Sequence, residues 1–251
     1  MTRQFWMRTL LWLGCVGFSL QLNASEYLLS HVHHVGKTMS ALYMKGLSQG
    51  SKKYQKDFEQ HKQASEETLQ QLHDIYPEIA ASWQKQWQTF SDHLALNYTE
   101  DYGWDIPAHV RRDFRAYHSM VYAFMKEQKT QYTTANQQQA FASAQLEAMA
   151  ARFFDISSTY NGTTSLSLSD AELLNPKQAT VEFKQILNNL ISSATNSKEK
   201  RVWQSVLQKW EFVEPNVINY SDQGAYFLVY ATKNRLHQSL IPQTDLVGLA
   251  Q

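Results

Sequence analysis

Cysteine, proline and glycine are all scarce in this chain of 251 residues, which has one Cys, five Pro and nine Gly. The single cysteine, Cys15, falls within the first 24 residues, so a product cleaved after Ala24 has no thiol, no disulfide and no thiolate metal site. A Cys-x-x-Cys-His run is missing, which excludes covalently attached haem. An excess of either charge is missing too: there are 23 basic and 23 acidic residues. Residues 1–24 hold Arg3, Arg8 and no acid, so the remainder carries 21 basic and 23 acidic groups, a net charge of −2. Near neutrality gives no electrostatic case for nucleic acid or an anionic membrane as partner. No nucleophile elbow, phosphate loop or paired metal motif occurs, and the Ser, His and carboxylate residues are scattered. The expectation is a protein that is not an enzyme and uses no cofactor.

The start of the chain has the pattern of an export signal. Arg3 and Arg8 precede an apolar run over 9–22, and Leu22-Asn23-Ala24 offers a cleavage site before Ser25. The run has 14 residues, short of the roughly 20 that a membrane-spanning helix needs. Leu13-Gly14-Cys15 resembles the end of a lipoprotein signal, but Trp12 stands where an aliphatic residue belongs and apolar sequence continues beyond Cys15. Cleavage predicts a periplasmic or secreted product of 227 residues with no transmembrane segment.

The few Pro and Gly residues sit between periodic segments, which favours helices throughout. Helices are predicted at about 26–43, ending in the Gly46 to Gly50 stretch, at 52–73, and from Pro77 to about Asn97-Tyr98. In the third, Trp83, Trp87, Phe90 and Leu94 recur at four, three and four residues, one buried seam of a bundle. Trp203, Leu207 and Trp210 repeat the first two of those spacings; that helix is predicted to end near Pro215, and another to span about 222–240. The pattern is a duplication: Phe58 pairs with Phe183, Trp87 with Trp210, Tyr98 with Tyr220 and Gly103 with Gly224, at offsets of 125, 123, 122 and 121. The extra segment 163–176 is the expected loop. The fold predicted is all-α: a signal over 1–24, a first four-helix module over 25–130 and a second over 131–251. Residues 108–160 lack Pro and Gly and could form one long helix joining the modules end to end. The polar stretch 131–139 is where it would break, and side-by-side modules are the alternative.

With Met149, Glu182-Phe183, Trp210, Pro215, Asn219-Tyr220 and the run 227–232, the second copy resembles the periplasmic sensory domain of type IV pilus methyl-accepting chemotaxis transducers, the PilJ-type domain. That family is similar to the sensor domain of nitrate and nitrite sensor kinases. The resemblance covers most of 140–240 and, more faintly, 30–128. It implies tandem four-helix bundles that bind or sense something outside the inner membrane, in chemotaxis-like signalling. Members commonly carry Arg just before the Met of the first helix, and in the nitrate sensors it clamps the anion. Here Thr38 and Ala148 precede Met39 and Met149, and neither offers a charged donor fork. A ligand at that place is therefore expected to be neutral, apolar or zwitterionic.

Lys37, Met39, Tyr43, Met149 and Arg152 are the candidate ligand-binding residues, on the helices that would face each other. The plainer alternative is core packing for the Met and Tyr side chains and snorkelling for the two cations. Arg111, Arg112 and Arg115 precede an aromatic strip and have the pattern of a solvated face with Asp113 as counter-ion. His31, His33 and His34 form the densest histidine group and are the metal candidates, since His31 and His34 share a helix face. The expected role is an exported, non-catalytic sensory or binding protein. Its partners would be a small-molecule ligand and, for want of a second span or a transmitter, a membrane-bound receptor. The alternative is a structural envelope or pilus-associated protein without a ligand.

Overall fold

The computed structural model describes residues 3–94, 104–158, 175–219 and 225–241, with side chains from Ala24 onward. Among these residues the regular structure is entirely helical. The helices are α1 (Arg3–Leu47), α2 (Lys52–Ile75), α3 (Pro77–Leu94), α4 (Ala108–Glu127), α5 (Ala135–Ser157), α6 (Pro176–Ser193), α7 (Ser197–Asn219) and α8 (Tyr226–Leu240). No helix among the described residues is long and apolar enough to cross a membrane.

Local chemistry accounts for most helix ends. The turn after α1 needs positive φ at Gln49 (56°) and Gly50 (84°). Gly50 also lies under the Trp104 ring, where a Cβ would come within 2.3 Å of the indole. Pro77 opens α3, where a missing N–H costs no helical bond. Asn175 caps α6 by accepting the Lys177 amide, with Pro176 behind it.

The long helix envisaged across 108–160 does not form. α4 ends in a 3-10 turn over Gln128–Gln131, and α5 starts afresh at Thr134, whose hydroxyl accepts the Gln137 amide in a capping box. The polar Thr133-Thr134 pair thus supplies a helix start, which is worth more here than continuation through weak helix formers. A second difference lies at Pro215, which is inside α7 and not at its end. Pro215 and Glu211 are exposed, so the carbonyl released by the missing N–H meets water, while Val213 and Val217 hold the last turn on the core.

In the first half α1 packs on α2 and α4, and α3 packs on the same two; in the second, α5 packs on α6 and α8, and α7 on the same two. α1 also packs along α5. Pairs across that seam are Ser25 with Gln137, His33 with Ser143, Gly36 with Glu147, and Tyr43 with Asp155. The separation stays at 110 to 112 residues from Ser25 to Tyr43, so α1 and α5 run parallel and in register there. Trp87 and Trp210 are both buried, against Tyr117 and Phe183 respectively, and each donates its indole N–H, to Glu66 and Thr180. Tyr98, Gly103, Tyr220 and Gly224, with most of the 163–176 segment, lie outside the described residues.

Candidate functional site

The seam between α1 and α5 carries two buried polar centres, one about each end of the stretch that contains Met39 and Met149. Met39, Tyr43 and Met149 themselves are fully buried in the hydrophobic core.

The first centre is built on Asp155, which is 1% exposed. Its Oδ1 accepts the Tyr43 hydroxyl at 2.8 Å and Arg115 Nη2 at 2.9 Å. Its Oδ2 accepts Arg115 Nε at 2.6 Å and Arg152 Nη1 at 3.2 Å. Arg111 donates to the Asp155 carbonyl at 3.0 Å and to the Ile106 carbonyl at 2.8 Å, and its guanidinium stands 4.9 Å from the Tyr43 ring centroid. Burial, then the Asp155 charge, push the Tyr43 hydroxyl pKa well above its usual value. The expected solvated arginine face is therefore corrected. Arg111 and Arg115 turn inward, and only Arg112 is exposed, beside Asp113. With three guanidinium groups converging on one carboxylate, this centre ties α1, α4 and α5 together, and both charges of Arg115 and Asp155 are met by bidentate bonds.

The second centre lies one to two turns away, where α1, α5 and α8 meet with α2 alongside. His33 and Lys37 stand four residues apart on α1, and Lys233 and His237 four apart on α8, so each pair shares a helix face. The His33 and His237 rings stack at 4.2 Å between centroids. Ser143 of α5 bonds Nδ1 of both, at 3.2 and 2.9 Å. Glu147, one turn further along α5, is fully buried; its Oε2 accepts Lys233 Nζ at 2.6 Å while Oε1 has no hydrogen-bond partner. One ligand atom from each of His33, Glu147 and His237 can be chosen so that all lie within 4.8 Å of one another. His34 and His61 complete the group, with rings 5.7 Å apart and their Nδ1 atoms buried without a partner.

All four imidazoles have their pKa lowered, which favours the neutral form. Burial is the main cause throughout, reinforced by neighbouring cations and histidines. It lowers His34 to about 4, His61 and His237 to about 2, and His33 well below the usual value. Burial also lowers Lys37 to about 8, against the opposing pull of Glu147. A cavity of about 190 Å³ opens beside the group, lined among others by Lys37, Asp57, His61, Tyr230, Lys233 and His237.

The residues singled out in the sequence are thus distributed over three places. Lys37 lines the cavity, Met39 and Met149 fill the core, and Tyr43 and Arg152 serve Asp155. His33 and His34 belong to the histidine centre. His31 is corrected as a companion of theirs: it points into the first half, with Nδ1 on Thr68 at 2.9 Å and Nε2 on the Tyr117 hydroxyl at 2.6 Å. Helical spacing put His31 and His34 on one face, yet His31 meets Thr68 and Tyr117 while His34 packs against His61 and His33. Glu147, Lys233, His237 and Asp57 were missed. A signal existed for Glu147, an isolated carboxylate within the apolar run 140–151. No family model matches the chain, and no curated protein or solved structure shows significant similarity to it.

Proposed function

We propose that this protein is an exported, non-catalytic binding or sensing protein. In this reading two chemotaxis-sensor-like four-helix modules, related by duplication, hold a small polar ligand or ion where they meet and act with a membrane-bound partner. The observation that carries the reading is the histidine centre with its cavity. Burying His33, His34, His237, Glu147 and Lys233 at a helix junction costs several kcal/mol in desolvation that an apolar seam would avoid. Glu147 Oε1 and two imidazole nitrogens remain without partners there, capacity that a ligand would use. The constant 110 to 112 residue offset along the α1–α5 seam supports the duplication, since it is what equivalent first helices related by a parallel axis would give.

Size narrows the ligand. Drug-sized ligands occupy roughly 300 to 1,000 Å³, whereas about 190 Å³ is room for about six waters at ~30 Å³ each. The occupant is an ion or a molecule of a few heavy atoms. A scaffold without a ligand is the second reading, favoured by the filled packing of Met39, Tyr43 and Met149.

A thermal-shift screen of the chain from Ser25 onward, stripped with chelator, separates the two. A ligand at 100 times its dissociation constant adds roughly 2.7 kcal/mol. The binding reading predicts a saturable shift with a divalent metal, a small anion or an amino acid, lost in His237→Ala, which removes a group shared by the cavity and the histidine centre. A flat response across all three classes supports the scaffold.

A further inference from the structure

We infer that His33, His237 and Glu147 form a binding site for one divalent transition-metal ion, held closed in the metal-free protein by the Lys233 ammonium; the inference rests on the binding reading above and names its ligand.

The donor set selects the class of ion. Two imidazoles and one carboxylate suit Zn²⁺, Cu²⁺, Ni²⁺ or Co²⁺, whereas Mg²⁺ and Ca²⁺ require oxygen cages that this centre lacks. Three protein ligands with one position left open is a known coordination pattern for Zn²⁺, and here the cavity lies on the side that His237 and Lys233 share. Ligand atoms within 4.8 Å of one another can be drawn onto a common ion once the stacked His33 and His237 rings turn their lone pairs toward it.

Ser143 orients both rings. A hydroxyl oxygen accepts two hydrogen bonds, so it can take the Nδ1–H of His33 and of His237 together, leaving Nε2 of each as the coordinating atom. Without metal the Ser143 hydroxyl can instead donate its one hydrogen to the Nδ1 of one ring in the other tautomer. Metal binding therefore selects one tautomer for both rings, with the Ser143 hydrogen turned elsewhere.

Lys233 is the competing cation. It occupies Oε2 of Glu147 and leaves Oε1 open, so the carboxylate can take an ion on one oxygen only against the repulsion of the ammonium. Removing the ammonium should strengthen metal binding, an effect opposite to that of damage to the fold.

The test is calorimetric titration of the chelator-stripped chain with zinc chloride, repeated with Co²⁺ to read ligand-field absorption. Expected is one ion per chain with micromolar or tighter affinity, and a Co²⁺ spectrum of nitrogen and oxygen ligation. His237→Ala and Glu147→Gln should abolish saturable binding, and Ser143→Ala should weaken it by about 10- to 100-fold. Lys233→Met should tighten it, and His73→Ala, on the exposed face of α2, should leave it unchanged. The inference is overturned if the chain takes up neither ion, if His237→Ala and Glu147→Gln bind as the parent does, or if Lys233→Met binds no more tightly. A thermal shift with small anions or amino acids, but none with metals, would overturn this assignment alone. No shift with any of them would overturn the binding reading as well.

Discussion

Gly36 of α1 lies against Glu147 of α5 so closely that a Cβ on Gly36 would stand 2.9 Å from both the Glu147 Cβ and its carbonyl carbon. Helix backbones meet there without an intervening side chain, and this contact sets how far His33, one turn before Gly36, sits from Ser143 and His237. Gly36→Ala should push the two helices apart. It removes a flexible residue from a helix, which alone would stabilise by about 1 kcal/mol, so a net loss identifies the steric term. The expected outcome is a lower urea midpoint and a weakened ligand response; an increase in stability would show that the seam opens freely.

Asp155 is the one carboxylate shared by Tyr43, Arg111, Arg115 and Arg152. Asp155→Ala would leave buried guanidinium groups without their common counter-charge, with an expected loss of about 3 to 5 kcal/mol. Arg112→Ala, an exposed neighbour, should change stability by less than about 1 kcal/mol. Chemical denaturation of both variants checks the contrast; equal effects would contradict the assignment of Asp155 as a buried link between α1, α4 and α5.

Acid should destabilise the protein early. His31, His33, His34, His61, His118 and His237 all have their pKa lowered, chiefly by burial. Below the usual histidine value of 6.5 the unfolded chain therefore takes up protons that the folded one does not. Their neutral burial is fully tolerated above about pH 6.5, and stability falls as the pH drops, by about 1 kcal/mol per pH unit for each histidine. That loss continues to about pH 4 for His34, about 3 for His31 and His118, and about 2 for His61 and His237. The urea midpoint at pH 5 should lie well below that at pH 7.5, and equal midpoints would mean that these imidazoles are charged or exposed in the fold.

The helices themselves were legible because their signals are local. Pro77, the Gly46 to Gly50 stretch and the Trp83, Trp87, Phe90 spacing each act within a few residues, and the helices and burial follow them. The break after α4 was legible as a weak point, though its cause, the Thr134 capping box, was not anticipated. The histidine centre was only half legible. Its α1 members are dense in sequence, but Glu147 and His237 come from residues more than one hundred positions away, and periodicity carries no information about which faces of separate helices meet. The same limit explains Arg111 and Arg115: a basic cluster has the pattern of a solvated face until Asp155, forty residues on, arrives beside it.

Histidine nitrogen NMR of the chelator-stripped chain, recorded while Zn²⁺ is added, tests the central claim most directly, since it reports tautomer and ligation ring by ring. The account predicts that the Nε2 signals of His33 and His237 shift together and saturate at one equivalent, with Nδ1 of both protonated toward Ser143. His31, locked between Thr68 and Tyr117, and exposed His73 should not move. Shifts confined to exposed histidines, or none at His33 and His237 after several equivalents, would contradict it.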